Sequence, residues 1–118
     1  MDIRVKRIYE TPSGDDGARF LVDRLWPRGI SKEKACLTAW LKAVSPSDRL
    51  RKAFHGKPDG WDEFVSAYVG ELQDETAEEG LAAIREAASK GPVTLLFASK
   101  QAERNNAAVL REYLLKSV

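Results

Sequence analysis

The residue types best suited to ligand chemistry are concentrated in one short segment, Asp23 to Gly29, which reads Asp-Arg-Leu-Trp-Pro-Arg-Gly. Arg24 and Arg28 offer forked guanidinium donors that match a phosphate or a carboxylate. Trp26 offers a flat surface for stacking, and Asp23 can orient an arginine or exchange a proton. The alternative is structural: Asp23 pairs with an arginine, Trp26 fills the core, and the segment binds nothing.

A second group of polar residues follows the apolar run 93–98. Ser99 and Lys100 lie directly after this run, where the backbone N–H groups of a following helix favour an anion. Additional donors in this group are Lys100, Arg104, Asn105 and Asn106. In the alternative interpretation, Ser99 caps that helix and Lys100 is solvated.

The pattern of apolar residues indicates what positions these two groups. Apolar and β-branched residues predict strands over 3–9, 18–23 and 93–98, and the last is apolar at nearly every position, as in a central parallel strand. The segments 23–29 and 99–105 follow the second and third strands. Because a long helical connection joins those strands, we expect them to pair in parallel, with both segments at one edge. Ligands of open α/β sheets bind at that edge.

Helix signals occupy most of the remaining chain. The predicted N-caps are Ser31, Thr38, Ser45 and Thr76, the last in a capping box with Glu79. Apolar residues at three- and four-residue spacing predict a helix from Trp61 to Leu72. Gly91 ends the helix before the third strand, and a last helix is predicted from Ala102 to Leu114.

The composition is typical of one small globular domain. The 118 residues are 43% hydrophobic and 31% charged, as in ordinary globular proteins. We therefore expect a single α/β domain over 1–118, with a small, mainly parallel sheet of about three strands flanked by helices. With 19 basic and 18 acidic residues, the net charge demands no polyanionic partner. Most Arg and Lys lie in 1–57 and acidic residues are concentrated in 59–86, which predicts one basic and one acidic face.

Other features favour a cytoplasmic protein with no metal and no cofactor. The single cysteine, Cys36, forms no internal disulfide and fits a reducing compartment. One Cys and one His are too few for a Cys/His zinc site, and no glycine-rich phosphate loop is present. We expect no signal peptide, because the N-terminal stretch from Met1 to Val5 is charged and short of apolar length. We expect no membrane partner, because no apolar run approaches the ~20 residues that span a bilayer.

Two more residues each have two interpretations. His55, placed between predicted helices just before a helix-ending Gly56, is either a general base or an exposed loop histidine. Cys36 is either a nucleophile or a small buried apolar residue. No histidine lies near Cys36 in the sequence, which favours burial.

Several stretches match a known pattern. The longest runs from Leu21 to Gly29 and is followed by Ser31 and Lys32. Further matching residues lie along nearly the whole chain: Ser45, Pro46, Ser47, Leu50, Arg51, Phe54, Trp61, Phe64, Tyr68, Glu71, Leu72, Thr94, Leu95, Leu96, Asn105, Ala107, Val109 and Leu110. Together these stretches resemble the YeaO-like family, bacterial proteins classed as a domain of unknown function.

The resemblance implies a small cytoplasmic α/β protein without an established activity. The polar positions that match the family are Asp23, Arg24, Trp26, Arg28, Lys100 and Asn105. Where many relatives have an acidic residue after the lysine and histidines around the asparagine, this chain has Gln101, Arg104 and Asn106. A cationic site for an anion survives these changes better than metal-binding or histidine-based chemistry does.

Three functions are compatible with these residues. The first is a site for an anionic small molecule bearing phosphate or carboxylate, at the carboxyl ends of the second and third strands. Its candidate ligand-binding residues are Asp23, Arg24, Trp26, Arg28, Ser99, Lys100 and Asn105. The second is a nucleic-acid or protein interaction module that uses the basic N-terminal half. The third is an accessory protein whose basic segment is an internal ion-pair cluster. The pattern assigns no reaction, no catalytic residue and no oligomeric state.

Overall fold

A computed structural model describes residues 1–54 and 57–116, and its centre is a parallel sheet. Within the described residues the sheet has four strands, in the order β1-β4-β2-β3. The strands are β1 Ile3–Arg7, β2 Ala18–Leu21, β3 Ala39–Trp40 and β4 Val93–Phe97. Every pairing is parallel. The predicted α/β class and the parallel pairing of the strands at 18–23 and 93–98 are therefore confirmed, with one strand more than expected.

Helices connect and flank these strands. The α-helices are α1 Lys32–Ala35, α2 Asp48–Phe54, α3 Trp61–Leu72, α4 Glu78–Lys90 and α5 Asn106–Lys116. Short 3-10 helices lie at Gly14–Asp16, Lys42–Val44, Pro58–Gly60 and Glu75–Ala77. The predictions made for His55 and Gly56 lie outside the described residues.

The sheet is buried on both faces because β4, its apolar central strand, alternates between two cores. Val93, Leu95 and Phe97 belong to the main core, with residues of α2 to α5. Leu96 belongs to a smaller core on the other face, with Leu21 and two further buried residues. The smaller core consists of Ile8, Leu21, Ala35 and Leu96, with Trp26, Ile30, Leu37, Trp40 and Ala98 packed against it.

The chain after α1 corrects a sequence prediction. Thr38 does not cap a helix; its N–H donates to the Arg19 carbonyl (2.7 Å) and its hydroxyl accepts from the Arg19 N–H (3.0 Å). The Leu41 N–H donates to the Leu21 carbonyl at 2.9 Å. Backbone pairing with β2 therefore takes precedence over the helical pattern here, and β3 forms the edge of the sheet.

Two predicted helix caps are also wrong. α2 begins at Asp48, and the hydroxyl that accepts from its first turn is that of Ser47, from the Leu50 N–H at 3.1 Å, rather than that of Ser45. Near α4, Thr76 forms no capping box. Asp74 accepts from the Thr76 N–H at 3.0 Å and caps a 3-10 turn that leads into α4. In both places a neighbouring residue, Ser47 or Asp74, accepts the hydrogen bond from the first turn instead.

The burial expected for Cys36 is not found. Cys36 ends α1 in the left-handed conformation, with φ of 50°, and its side chain is exposed. Ala35 and Leu37, on either side of it, pack into the smaller core. The turn that directs the chain towards β3 therefore leaves Cys36 at the surface.

A buried ionic network joins three of the strands. The carboxylate of Asp16 accepts from Lys6 at 3.1 Å and pairs with Arg19, whose side chain is 5% exposed. Thr94 donates to the Asp16 carbonyl at 2.8 Å. Burial alone would raise the pKa of Asp16, but hydrogen bonds from the Ser13 N–H, Lys6 and Arg19 outweigh it and lower the pKa. Asp16 is therefore held as a carboxylate.

Removing this charge tests the network. We expect Asp16→Asn to lower the free energy of unfolding by about 3 kcal/mol, because it leaves Arg19 as a buried, uncompensated charge. The control is Asp48→Asn, which removes an exposed carboxylate–arginine pair of the same i,i+3 spacing with Arg51. Asp48→Asn should lower the free energy of unfolding by about 1 kcal/mol or less. Urea unfolding near neutral pH measures both variants.

The difference in stability between the parent and Asp16→Asn should depend on pH. Because the folded pKa of Asp16 is lowered, its carboxylate stabilises the parent above the ordinary Asp pKa, and this contribution is lost as pH falls towards the folded value. The stability gap between parent and Asp16→Asn should therefore narrow below about pH 4. A gap that widens on acidification contradicts the assignment.

Candidate functional site

The two segments singled out from the sequence do meet at one edge of the sheet. β2 and β4 run in parallel, so the segments after them leave from the same edge. Asp23 Oδ2 accepts at 2.9 Å from the N–H of Ala98, the residue directly before the second segment. The edge at which ligands of α/β proteins bind is thus formed by these two segments.

Asp23 is the residue that ties this edge together. Besides Ala98, it accepts from Asn106 Nδ2 at 3.0 Å, and its carbonyl accepts from the indole of Trp40 at 2.7 Å. Burial raises the pKa of Asp23, although the hydrogen bonds from Ala98 and Asn106 and the positive charge of Arg51 oppose the increase. Asp23 is therefore a partly buried carboxylate committed to protein donors.

The two arginines of the segment 23–29 do not converge on a common ligand. Arg24 donates from Nε to the Pro46 carbonyl (3.0 Å) and from Nη2 to the Ser45 carbonyl (3.2 Å). Arg28 is exposed, and its carbonyl accepts from the Tyr9 hydroxyl at 2.8 Å. Within the described residues neither arginine forms an ion pair with a carboxylate.

Trp26 has a structural position. Its indole N–H donates to the Ile30 carbonyl at 2.8 Å, and its ring meets that of Trp40 edge-on, with centroids 5.3 Å apart. It packs against the smaller core. Leu25, the residue before it, faces solvent at 58% exposure. The geometry at Trp26 matches the core-filling alternative.

The segment 99–105 also differs from its sequence interpretation, because α5 begins only at Asn106. Ser99 does not cap the helix; its hydroxyl accepts from the Gln101 N–H at 3.1 Å within the preceding turn. Asn105 is the cap: its Oδ1 accepts from the Ala108 N–H at 2.8 Å. Lys100 is exposed. The N–H groups of α5 are therefore displaced from Ser99 and Lys100 to the region of Asn105.

Both donors of the Asn105 amide are also used by the backbone. They go to the carbonyls of Gln101 and Ala102 at 2.9 and 3.1 Å, and the side chain is 4% exposed. Asn105 therefore shapes the turn before α5, and its polar atoms have protein partners.

A cleft of about 600 Å³ lies beside this turn, between the 99–106 region, α2 and the start of α3. We call it the basic cleft, because its described lining has three cationic side chains and no carboxylate. The cations are Arg51, Lys57 and Arg104; the other lining residues are Phe54, Gly60, Trp61, Phe64, Ser99, Gln101, Asn105 and Asn106. Its volume falls within the range of about 300–1,000 Å³ usual for small-molecule sites.

The cations of the basic cleft are differently engaged. Arg51 pairs with Asp48 at 2.8 Å, and both side chains are exposed. Lys57 and Arg104 are exposed and form no ion pair within the described residues. The cleft therefore carries uncompensated positive charge.

A second cleft, of about 800 Å³, lies on the other side of α2 and contains Arg24. We call it the mixed-charge cleft, because Arg24 and Arg49 share it with two carboxylates, Glu71 and Asp74. Phe54 lines both clefts. The seven residues predicted for one site are thus divided. Arg24 lines the mixed-charge cleft, Ser99 and Asn105 line the basic cleft, and four line neither: Asp23, Trp26, Arg28 and Lys100.

Sequence reasoning did not place Arg51 and Lys57 at the site. A signal was present, because Arg51 and Phe54 are three residues apart and so share a face of α2. Trp61 and Phe64 share a face of α3 in the same way. The missing information was that these two faces approach the turn before α5.

Among residues 1–54 and 57–116, no three His, Cys, Asp or Glu side chains are grouped so that they could hold a metal ion. None of the helices formed by these residues has the length and apolar character needed to cross a membrane.

The chain is similar to known proteins over nearly its whole length. A family model described as the inactive DUF488-N3 subclade matches residues 2–118. The Escherichia coli K12 protein named "Uncharacterized protein YeaO" is 45% identical over 115 residues, covering 97% of both chains. Proteins of Mycobacterium bovis and Mycobacterium tuberculosis, also named as uncharacterized, are 43% identical over 112 residues, covering 95% of this chain and 92% of theirs. No solved structure matches the chain.

The buried position of Asp23 predicts a pH effect of opposite sign to that of Asp16. Because folding raises the pKa of Asp23, the parent loses stability as pH rises through that value, whereas Asp23→Asn cannot ionise. The free energy of unfolding of Asp23→Asn, relative to the parent, should therefore rise from about pH 4 towards neutrality. Urea unfolding at several pH values measures this difference.

A second variant tests the cause. Asn106→Ala removes a donor that stabilises the ionised Asp23, so the stability of this variant should fall more steeply than that of the parent over the same pH range. A difference between Asp23→Asn and parent that is independent of pH would contradict the assignment.

Proposed function

This chain belongs to the family described as the inactive DUF488-N3 subclade, as its resemblance to YeaO-like proteins predicted, and we propose that it binds an anionic small molecule in the basic cleft. The ligand bears a phosphate or carboxylate group. The observation that carries the proposal is the convergence of Arg51, Lys57 and Arg104 on one cleft whose described lining has no carboxylate.

Electrostatics support an anion in this position. Three positive side chains around one cavity repel one another, and a bound anion relieves that repulsion while gaining charge-assisted hydrogen bonds. Guanidinium groups match the oxygens of phosphate and carboxylate in pairs. The mixed-charge cleft is less suited to an anion, because Glu71 and Asp74 line it together with its two arginines.

The chemistry of the cleft favours binding over catalysis. A general acid or base must lie within hydrogen-bond reach of the reacting group. The carboxylate of Asp23 accepts from Ala98 and Asn106, and it is not part of the lining. The description of the family as inactive agrees with a protein that holds its ligand without transforming it.

We also infer a bacterial, cytoplasmic setting for this function. The relatives come from Escherichia coli and from mycobacteria. An exposed single thiol, that of Cys36, is compatible with a reducing compartment. The ligand expected from these considerations is a soluble metabolite.

Anion binding can be tested with inorganic pyrophosphate. We expect it to raise the melting temperature of the parent, because a ligand that binds only the folded state stabilises it. Arg104→Ala and Lys57→Ala should each weaken binding about tenfold, the effect of losing one charge-assisted hydrogen bond. Isothermal titration at low ionic strength measures the affinities, which should fall at higher salt.

The matched control is Lys90→Ala. Lys90 lies at the end of α4, immediately before β4 begins, and hence at the opposite edge of the sheet. It is exposed and its ion pair with Glu86 is on the surface. Binding by this variant should equal that of the parent. No binding by the parent, or equal losses in all three variants, would refute the assignment of the basic cleft.

A further inference from the structure

We propose that the anion held by the basic cleft is a nucleoside monophosphate, with its base against the aromatic side of the cleft and its phosphate at the cationic side. This inference rests on the proposed function and names the class of ligand for the same site. It depends on three features: the aromatic rings, the placement of the cations and one amide oxygen.

The aromatic side of the cleft consists of Phe54, Trp61 and Phe64. The rings of Trp61 and Phe64 stack, with centroids 5.5 Å apart and planes 20° apart, and Phe54 meets Phe64 edge-on at 6.1 Å. All three are only partly buried. An inorganic anion gains little from such a surface, whereas a nucleobase gains stacking energy on it.

The cationic side fits the phosphate. Lys57 directly precedes the turn that leads to Trp61, and Arg51 lies on the same face of α2 as Phe54. Arg104 approaches from the turn before α5. Charge and aromatic surface are therefore adjacent, as a ligand with an anionic end and a planar end requires.

The third feature is the amide of Asn106, which lines the cleft. Its Nδ2 donates to the Val22 carbonyl at 2.8 Å and to Asp23 Oδ1 at 3.0 Å, which uses both of its hydrogens. Its Oδ1 makes no hydrogen bond within the described residues. The oxygen is therefore an acceptor of fixed orientation, suited to a hydroxyl or amino donor such as a nucleoside carries.

This arrangement gives Asp23 a role as a positioning residue. By accepting from Asn106 it determines which end of the amide remains for the ligand. The contact acts through Asn106 and requires no contact between Asp23 and ligand. The carboxylate of Asp23 is therefore compatible with a cleft for anions, because it contacts Asn106 and does not line the cleft itself.

The closing experiment compares ligands on the unaltered protein by isothermal titration. The probes are adenosine monophosphate, ribose 5-phosphate, inorganic pyrophosphate, adenosine and a single-stranded oligonucleotide. We expect adenosine monophosphate to bind at least about tenfold more tightly than ribose 5-phosphate, since the base adds stacking. Adenosine should also bind more weakly than its monophosphate, because it lacks the group that contacts the cations.

Two variants assign the difference to the aromatic side. Trp61→Leu keeps an apolar side chain but removes the stacking surface. It should lower the affinity for adenosine monophosphate about tenfold and change that for ribose 5-phosphate by less than about twofold. Trp61→Phe retains a ring and should keep most of the affinity. Circular dichroism establishes whether each variant is folded. If a variant does not fold, the comparison of ligands on the parent protein decides whether the base contributes to binding.

The possible outcomes separate the two proposals. If ribose 5-phosphate and pyrophosphate bind as tightly as adenosine monophosphate, the nucleoside assignment is wrong and anion binding stands. If no anion binds the parent, the proposed function fails. If a single-stranded oligonucleotide binds far more tightly than the mononucleotide, the ligand is a nucleic acid and the small-molecule assignment is overturned.

Discussion

The buried carboxylate of Asp16 is the constraint on which the geometry of the sheet depends. Its partners come from β1, through Lys6, and from β2, through Arg19, while Thr94 of β4 donates to its carbonyl. Arg19 extends the network to α1 by donating to the carbonyl of Ala35 at 2.8 Å. A buried charge tolerates few arrangements of its donors, so this network holds the three strands in one register and α1 against them.

The smaller core lies on the same face of the sheet. It uses part of the family signature, the matching stretch from Leu21 to Gly29. Arg19 and Leu21 alternate with residues of the main core along β2, as Thr94 and Leu96 do along β4. The tryptophan of this signature, Trp26, packs against the smaller core on this face. A segment rich in charged and aromatic residues can thus serve to cover one face of a sheet. Its residue types alone do not identify a binding surface.

The sequence predicted those features that depend on long patterns. The apolar run 93–98 and the three- and four-residue spacing of α3 correctly indicated a parallel α/β fold. β3 escaped prediction because two residues carry no periodicity, and only pairing with β2 defines it. The N-cap of α2 was misplaced by two residues because Ser45 and Ser47 are equally good caps locally. A tertiary contact decides between them: Glu71 of α3 accepts from the Ser47 N–H at 2.8 Å. The lining of the basic cleft comes from separate parts of the chain, which no local pattern relates.

The relation between signature and cleft follows from the position of Asp23. A carboxylate at the end of β2 can hold the Ala98 N–H and the Asn106 amide only if it is withdrawn from solvent, and that burial raises its pKa. The neighbouring positive charge of Arg51 offsets part of the cost. Under the proposed function, the signature therefore supports the site without contacting the ligand. Through Asp23 it joins the ends of β2 and β4, orients Asn106 and partly balances the charge of Arg51. The residues that would contact the anion come from α2, the start of α3 and the turn before α5.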